Sequence, residues 1–208
     1  MDDVNGATKK AVRGNAEKYD LFKYLLARYK KAGQQGFHFE MLWILYAMLE
    51  DRTSAFLYYI GFITEDRQKA VAVKSVQQSV RGVLSLGEKA NIDFGTLYNK
   101  TTAIRKAVEW AFKASAKDDY QKDLINLMDR KPINNPEFLR VLDEIDSWRD
   151  KRNGLTHALF SVKSYETAKD LQPLAERGYD LARTLDKAVG ALRLRSQKSN
   201  IREKFNLT

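Results

Sequence analysis

At 208 residues, 44% hydrophobic and 30% charged, the chain is long enough for one large domain or two small ones and has the composition of folded material. Eleven glycines and three prolines are too few for an all-β fold, which needs a turn signal roughly every 8–12 residues. No cysteine and only two histidines, His38 and His157, exclude disulfides, thiolate zinc sites, a cysteine nucleophile and any multi-histidine metal centre.

The net charge of +9 comes from 36 basic and 27 acidic side chains spread along the chain. Two segments exceed the mean. Thr8 to Lys31 carries eight basic residues against two acidic, and Arg193 to Thr208 carries five against one. A polyanion such as nucleic acid is one partner this implies, and solvated helix faces are the other reading. The opening MDDVNGATKK is acidic and polar, unlike a secretory signal, and the longest apolar run, Met41 to Leu49, is far too short to cross a membrane. A cytoplasmic protein without membrane association is expected.

Helical periodicity runs through the chain. Thr8 to Lys31 predicts a first helix with Leu21, Leu25, Leu26 and Tyr29 inward. Residues 38–63 predict a second, on the stripe Phe39, Trp43, Tyr46, Glu50, Thr53, Leu57 and Ile60. Leu42, Leu45, Leu49 and Phe56 widen that stripe until the helix is apolar nearly all round, which suits the middle of a bundle. Residues 67–89, about 95–116 and 119–127 predict three more, with a break at Asn91-Ile92-Asp93. Asn135-Pro136 has the form of an N-cap and first helical position, so the next helix begins at 136 and carries Phe138, Leu142, Ile145, Trp148, Leu155 and Leu159. A last long helix spans 166–195 on Leu171, Leu174, Leu181, Leu185, Val189 and Leu192. With no strand alternation and only a short connector at 129–135, the expectation is an all-α, up-and-down bundle of five to seven helices, one domain over 1–208 with flexible ends at 1–7 and 197–208. Tyr58, Tyr59 and Trp148 read as core rather than as base-stacking platforms, and His38 as solvated surface.

One segment carries chemistry: Ser147-Trp-Arg-Asp-Lys-Arg-Asn-Gly-Leu-Thr-His157. Seven residues past Ile145 the inner stripe reaches Arg152, and seven past Trp43 it reaches Glu50. A buried charge needs a partner or a wet cavity. Two off-pattern charges of opposite sign on neighbouring helices predict that they meet, either as a structural ion pair or within a site.

Arg152-Asn153-x-x-x-His157 is an Arg-x4-His pattern with a polar residue directly after the arginine. The segment, near the end of the penultimate long helix of a bundle this size, resembles the HEPN superfamily, whose ribonuclease members carry R-x4–6-H, often R-N-x-x-x-H. The resemblance implies a metal-independent endoribonuclease without a cofactor, a homodimer joined through residues 148–160, and a role in toxin–antitoxin systems or phage defence with an antitoxin or regulatory protein as partner. The tyrosine two residues past the histidine, a modification target in some members, is replaced by Leu159.

The chemistry stands on its own terms. RNA supplies its own nucleophile, the ribose 2′-OH. The protein then needs a proton carrier near neutral pH, for which His157 is suited, and a cation on the phosphate, for which Arg152 offers a planar fork of donors. Asn153 would orient the imidazole or donate to the phosphate, Glu50 would aim Arg152, and Arg149 and Lys151 would contact the RNA backbone. The products are a 2′,3′-cyclic phosphate and a 5′-OH. Five residues of unbroken helix, however, turn Arg152 and His157 roughly 140° apart. Gly154 would relieve this by a bend, a dimer would relieve it by pooling two motifs, or Gly154 would simply cap the helix and leave His157 incidental. The alternative to an enzyme is a non-catalytic helical module that binds RNA, a nucleotide or a protein partner.

Overall fold

A computed structural model describes residues 15–64, 69–158 and 164–207, with the backbone alone described at 15–20, 158 and 164–169. The described residues form eight helices and no strand, with one isolated antiparallel bridge between Ile63 and Ala70. The fold is an all-α helical bundle. In chain order the helices are α1 (Asn15–Gln34), α2 (His38–Tyr59), α3 (Lys74–Val83), α4 (Leu97–Lys113), α5 (Asp119–Met128), α6 (Pro136–Ala158), α7 (Ser164–Ser199) and the short α8 (Ile201–Lys204). None is long and apolar enough to cross a membrane.

The boundaries follow local chemistry. The α1–α2 turn needs Gly36, whose φ of +74° disfavours a side chain. At the end of α2 the amide of Phe62 donates to the Leu57 carbonyl and that of Gly61 to Tyr58, the paired bonds of a Schellman stop, with Gly61 at φ +79°. Thr96 and Asp118 accept from the amides of Asn99 and Gln121 and so cap α4 and α5. Asn135 does the same for α6, its Oδ1 accepting from the Glu137 amide at 3.0 Å, with Pro136 as the first helical residue. The helix expected over 67–89 is shorter, 74–83: Val73 is extended and 84–96 run as a loop that still buries Leu84 and Phe94. The expected first helix is described from residue 15, and the expected positions 1–14, 67, 68, 159 and 160 lie outside the described residues.

The long helices α2 and α7 make the centre. Leu42, Leu45, Leu49, Phe56, Leu57 and Ile60 of α2 are fully buried, as are Ala175, Ala182, Leu185, Ala188 and Leu192 of α7. Helix α6 lies antiparallel to both. Phe56 stacks on Phe138 while Trp43 meets Arg152, and Trp148 meets Leu174 while Glu144 pairs with Arg177. Trp148 is buried as expected, and its seat on α7 is Gly178: a methyl group there would come within 2.6 Å of the indole nitrogen. The indole N–H donates to the Leu174 carbonyl at 2.8 Å. Glycine therefore sets how closely α6 and α7 approach and which way α6 faces.

Residues 197–207, expected as a flexible end, are packed. Ile201 and Leu207 are buried. Arg202 donates to the carbonyls of Tyr58 (2.9 Å), Ile63 (3.1 Å) and Leu207, and Arg195 to those of Leu127 (2.9 Å), Arg130 (3.2 Å) and Lys131. Leu207 closes over Gly61, where an added Cβ would lie 2.5 Å from its Cδ1.

Candidate functional site

Helix α6 is continuous through Gly154 to Ala158, so the cap expected at Gly154 does not form. A single glycine weakens a helix without ending it unless it turns to positive φ, which Gly154 does not. Arg152 and His157 consequently point to different sides of α6, about 140° apart.

Arg152 occupies the inward slot that the stripe predicts and is 8% exposed. Its guanidinium lies over the Trp43 ring at 4.3 Å and the Tyr46 ring at 4.8 Å. Nη1 donates to Asn153 Oδ1 at 3.1 Å, whereas Nε and Nη2 are enclosed and have no hydrogen-bond partner among the described residues. Burial pulls its pKa below the usual arginine value, opposed by Tyr46. Asn153 thus holds Arg152, and among the described residues no hydrogen bond joins it to the imidazole. Thr156 Oγ1 donates to the Arg152 carbonyl at 2.8 Å.

Glu50 does not pair with Arg152. Its carboxylate takes the Lys100 ammonium and accepts from the Tyr46 hydroxyl at 3.2 Å, so Tyr46 stands between Glu50 and Arg152. Burial, then Glu50, raises the Tyr46 pKa above the ordinary value, while Arg152 and Arg149 oppose it. The charge balance behind this follows from α4. Lys100 is buried on the same face as Leu97 and Ile104, which makes it a nearer partner for Glu50 than the arginine one helix further on.

The remaining predicted residues divide between two sides. Arg149 lies over Tyr98 at 4.6 Å and donates to Asp146 (3.3 Å) and Asp150 (2.7 Å), so its guanidinium is already paired. Asp146 also accepts from Thr101 (2.6 Å) and Arg105 (2.7 Å), which fastens α6 to α4. Lys151 and His157 are exposed. With Gly154, at spacings of three, they form one ridge of α6. Lys151, Gly154 and Leu155 line a cavity of about 530 Å³ shared with Asp170, Pro173, Leu174 and Arg177 of α7. His38, expected in solvent, is half-buried, and its Nδ1 is enclosed without a partner among the described residues.

Trp43, Tyr46, Tyr98 and Lys100 are the neighbours that sequence reasoning missed. Lys100 was visible as a cation on the stripe Leu97, Ile104, Val108, the same signal that marked Glu50. Trp43 corrects an expectation. It is 51% exposed and stands at the rim, with Phe39 edge-on to it, because the inner face of α2 is centred on Leu42, Leu45 and Leu49. Among the described residues no three His, Asp or Glu side chains are grouped to hold a metal ion. Comparisons of the chain with protein-family models, curated proteins and solved structures found no match.

Proposed function

We propose that the chain is a metal-independent endoribonuclease of the HEPN type, active as a homodimer in the cytoplasm. One observation carries the reading: Arg152 is a buried guanidinium with two unpaired nitrogens and no carboxylate partner among the described residues, five positions before a solvent-exposed histidine. A structural arginine buried to this degree is ordinarily paired with an acid, and the nearest off-pattern acid, Glu50, is engaged by Lys100.

Because one chain directs Arg152 and His157 to different sides, the phosphodiester is gripped by Arg152 of one protomer while the second protomer's imidazole moves the protons. The ribose 2′-OH attacks phosphorus and the P–O5′ bond breaks. His157 takes the 2′ proton or gives one to the 5′ oxygen, water serving at the other end, and Arg152 neutralises the charge that rearranges on the phosphate oxygens. For phosphate to reach Nε and Nη2 the Trp43 ring has to tilt away, and its exposed half leaves room for that. An antitoxin or regulatory protein that blocks this surface completes the reading as a toxin or defence protein.

The test is cleavage of mixed RNA in EDTA by the parent chain, Arg152→Ala, His157→Ala and an equimolar mixture of the two variants. Cleavage by the parent, silence in each variant and partial recovery in the mixture are expected, since one site of a mixed dimer retains both groups. Undiminished cleavage by a folded His157→Ala variant overturns the proposal. The second reading, a non-catalytic RNA-binding module, is favoured by the opposed directions of Arg152 and His157, and predicts salt-sensitive binding with no cleavage.

A further inference from the structure

We infer that the face of the bundle shared by α2, α4 and α6 is a stacking platform for single-stranded RNA, with Trp43 and Tyr98 as its two base-binding rings. The inference rests on the reading of this chain as an RNA-handling protein and names the form of RNA it takes. Both rings are 51% exposed, although large aromatics are ordinarily buried. Each has a guanidinium against it, Arg152 at 4.3 Å from Trp43 and Arg149 at 4.6 Å from Tyr98. Each residue keeps half of its surface in water beside that contact.

The two arginines are three residues apart on α6, so they lie on one ridge, each against one of the two rings. Arg152 also covers the Tyr46 ring at 4.8 Å. Arg149 is held in place by Asp146 and Asp150, and Arg152 by Asn153 and Tyr46. Both guanidinium groups are thus fixed before a ligand arrives, and only the Trp43 ring has to move.

The local charge decides which ligand fits. Arg149, Arg105 and Lys100 are each neutralised by Asp146, Asp150, Asp143 or Glu50, so the platform is not a general polyanion surface. Arg152 alone lacks a carboxylate among the described residues. A ligand that stacks through flat π faces and brings an isolated anion between them suits this arrangement. Unpaired nucleotides have both properties, whereas a duplex hides its base faces. A base stacked on Trp43 also supplies the contact that the ring gives up when it tilts off Arg152.

The experiment measures binding, using fluorescein-labelled short oligo(A), oligo(U) and an RNA duplex on the full chain in the His157→Ala background, by fluorescence anisotropy. Single strands are expected to bind tighter than duplex and to quench tryptophan emission. Trp43→Ala and Tyr98→Ala are each expected to weaken single-strand binding about tenfold, and Trp43→Phe and Tyr98→Phe to retain most of it. Equal affinity for duplex and single strand overturns the inference. So do alanine variants with native thermal midpoints that bind like the parent, or that change only the oligomeric state in sedimentation. RNA cleavage by Trp43→Ala carrying the native His157, with unaltered affinity in the His157→Ala background, removes the platform and keeps the nuclease. Binding lost in Trp43→Ala, when the parent chain with its native His157 never cleaves, does the reverse.

Discussion

The two flanks of α6 bear opposite kinds of surface although they share one backbone. On the flank toward α2 and α4, Asp146, Arg149 and Arg152 are wrapped by Thr101, Arg105, Tyr98, Tyr46 and Trp43. On the other, Lys151, Gly154 and His157 meet water, and the first two border the cavity against α7. A helix that carries a motif spaced five apart must divide it in this way, since the backbone turns about 100° at each residue. The lesson is that an Arg-x4-His pattern on straight helix is half anchored and half offered. The anchored half is tuned by its own chain, and the offered half awaits something from outside.

The contrast breaks most completely if α6 loses its rotational setting, which Trp148 and Gly178 fix. Trp148→Ala is expected to cost about 3–5 kcal/mol in urea unfolding. A small loss would mean that the flanks are set elsewhere. Glu50→Ala comes next. It strands the buried Lys100, and a loss of about 3 kcal/mol is expected, with Lys100→Met restoring much of it in the double variant.

Arg152→Met sharpens the comparison in a different way. It removes a desolvated cation without an acid partner together with its ring contacts, and stability is expected to change by less than about 1.5 kcal/mol. A loss as large as that of Glu50→Ala would mark Arg152 as a member of a structural ion pair after all. On the open flank, Gly154→Ala is expected to raise stability by about 0.5–1 kcal/mol, because the helix gains propensity and the methyl meets open space. A stabilised Gly154→Ala that loses RNA cleavage would show that the ridge needs its bare backbone.

The smallest effect is alkaline. The folded chain keeps the Tyr46 proton to higher pH than the unfolded chain does, because burial and Glu50 oppose the phenolate. The contribution is complete below the ordinary tyrosine value of about 10 and falls away as the pH rises beyond it. Tyr46→Phe is expected to flatten that decline in pH-dependent thermal melts, beside a pH-independent loss of about 0.5–1.5 kcal/mol from the missing bond to Glu50.

Much of this was legible before any coordinates. Asn135-Pro136 marks the start of α6 by mechanism, and the structure forms that cap. The inward position of Arg152 follows from counting along the stripe and is confirmed by its burial. What could not be read was rotation. A helix apolar nearly all round, as α2 is, has two equally good stripes, and only packing against α7 selects Leu42 over Trp43 as the inner one. Pairing between charges was also out of reach by the route taken. Glu50 and Arg152 are both anomalies in their helices, but Lys100 is a third, and three anomalies have more than one solution. The tail failed for another reason. Its arginines serve backbone carbonyls, and sequence patterns do not record which carbonyls lack donors.

That tail has a consequence for how the chain is made. The carbonyls of Tyr58 and Ile63 receive their donors from Arg202, and Gly61 receives its covering side chain from Leu207, some 140 residues later. During translation the emerging helices can pair early, but this junction stays open while residue 207 is still inside the ribosome. Nascent protein stalled even a few codons short of that point would present the end of α2 uncovered, a natural handle for chaperones and proteases.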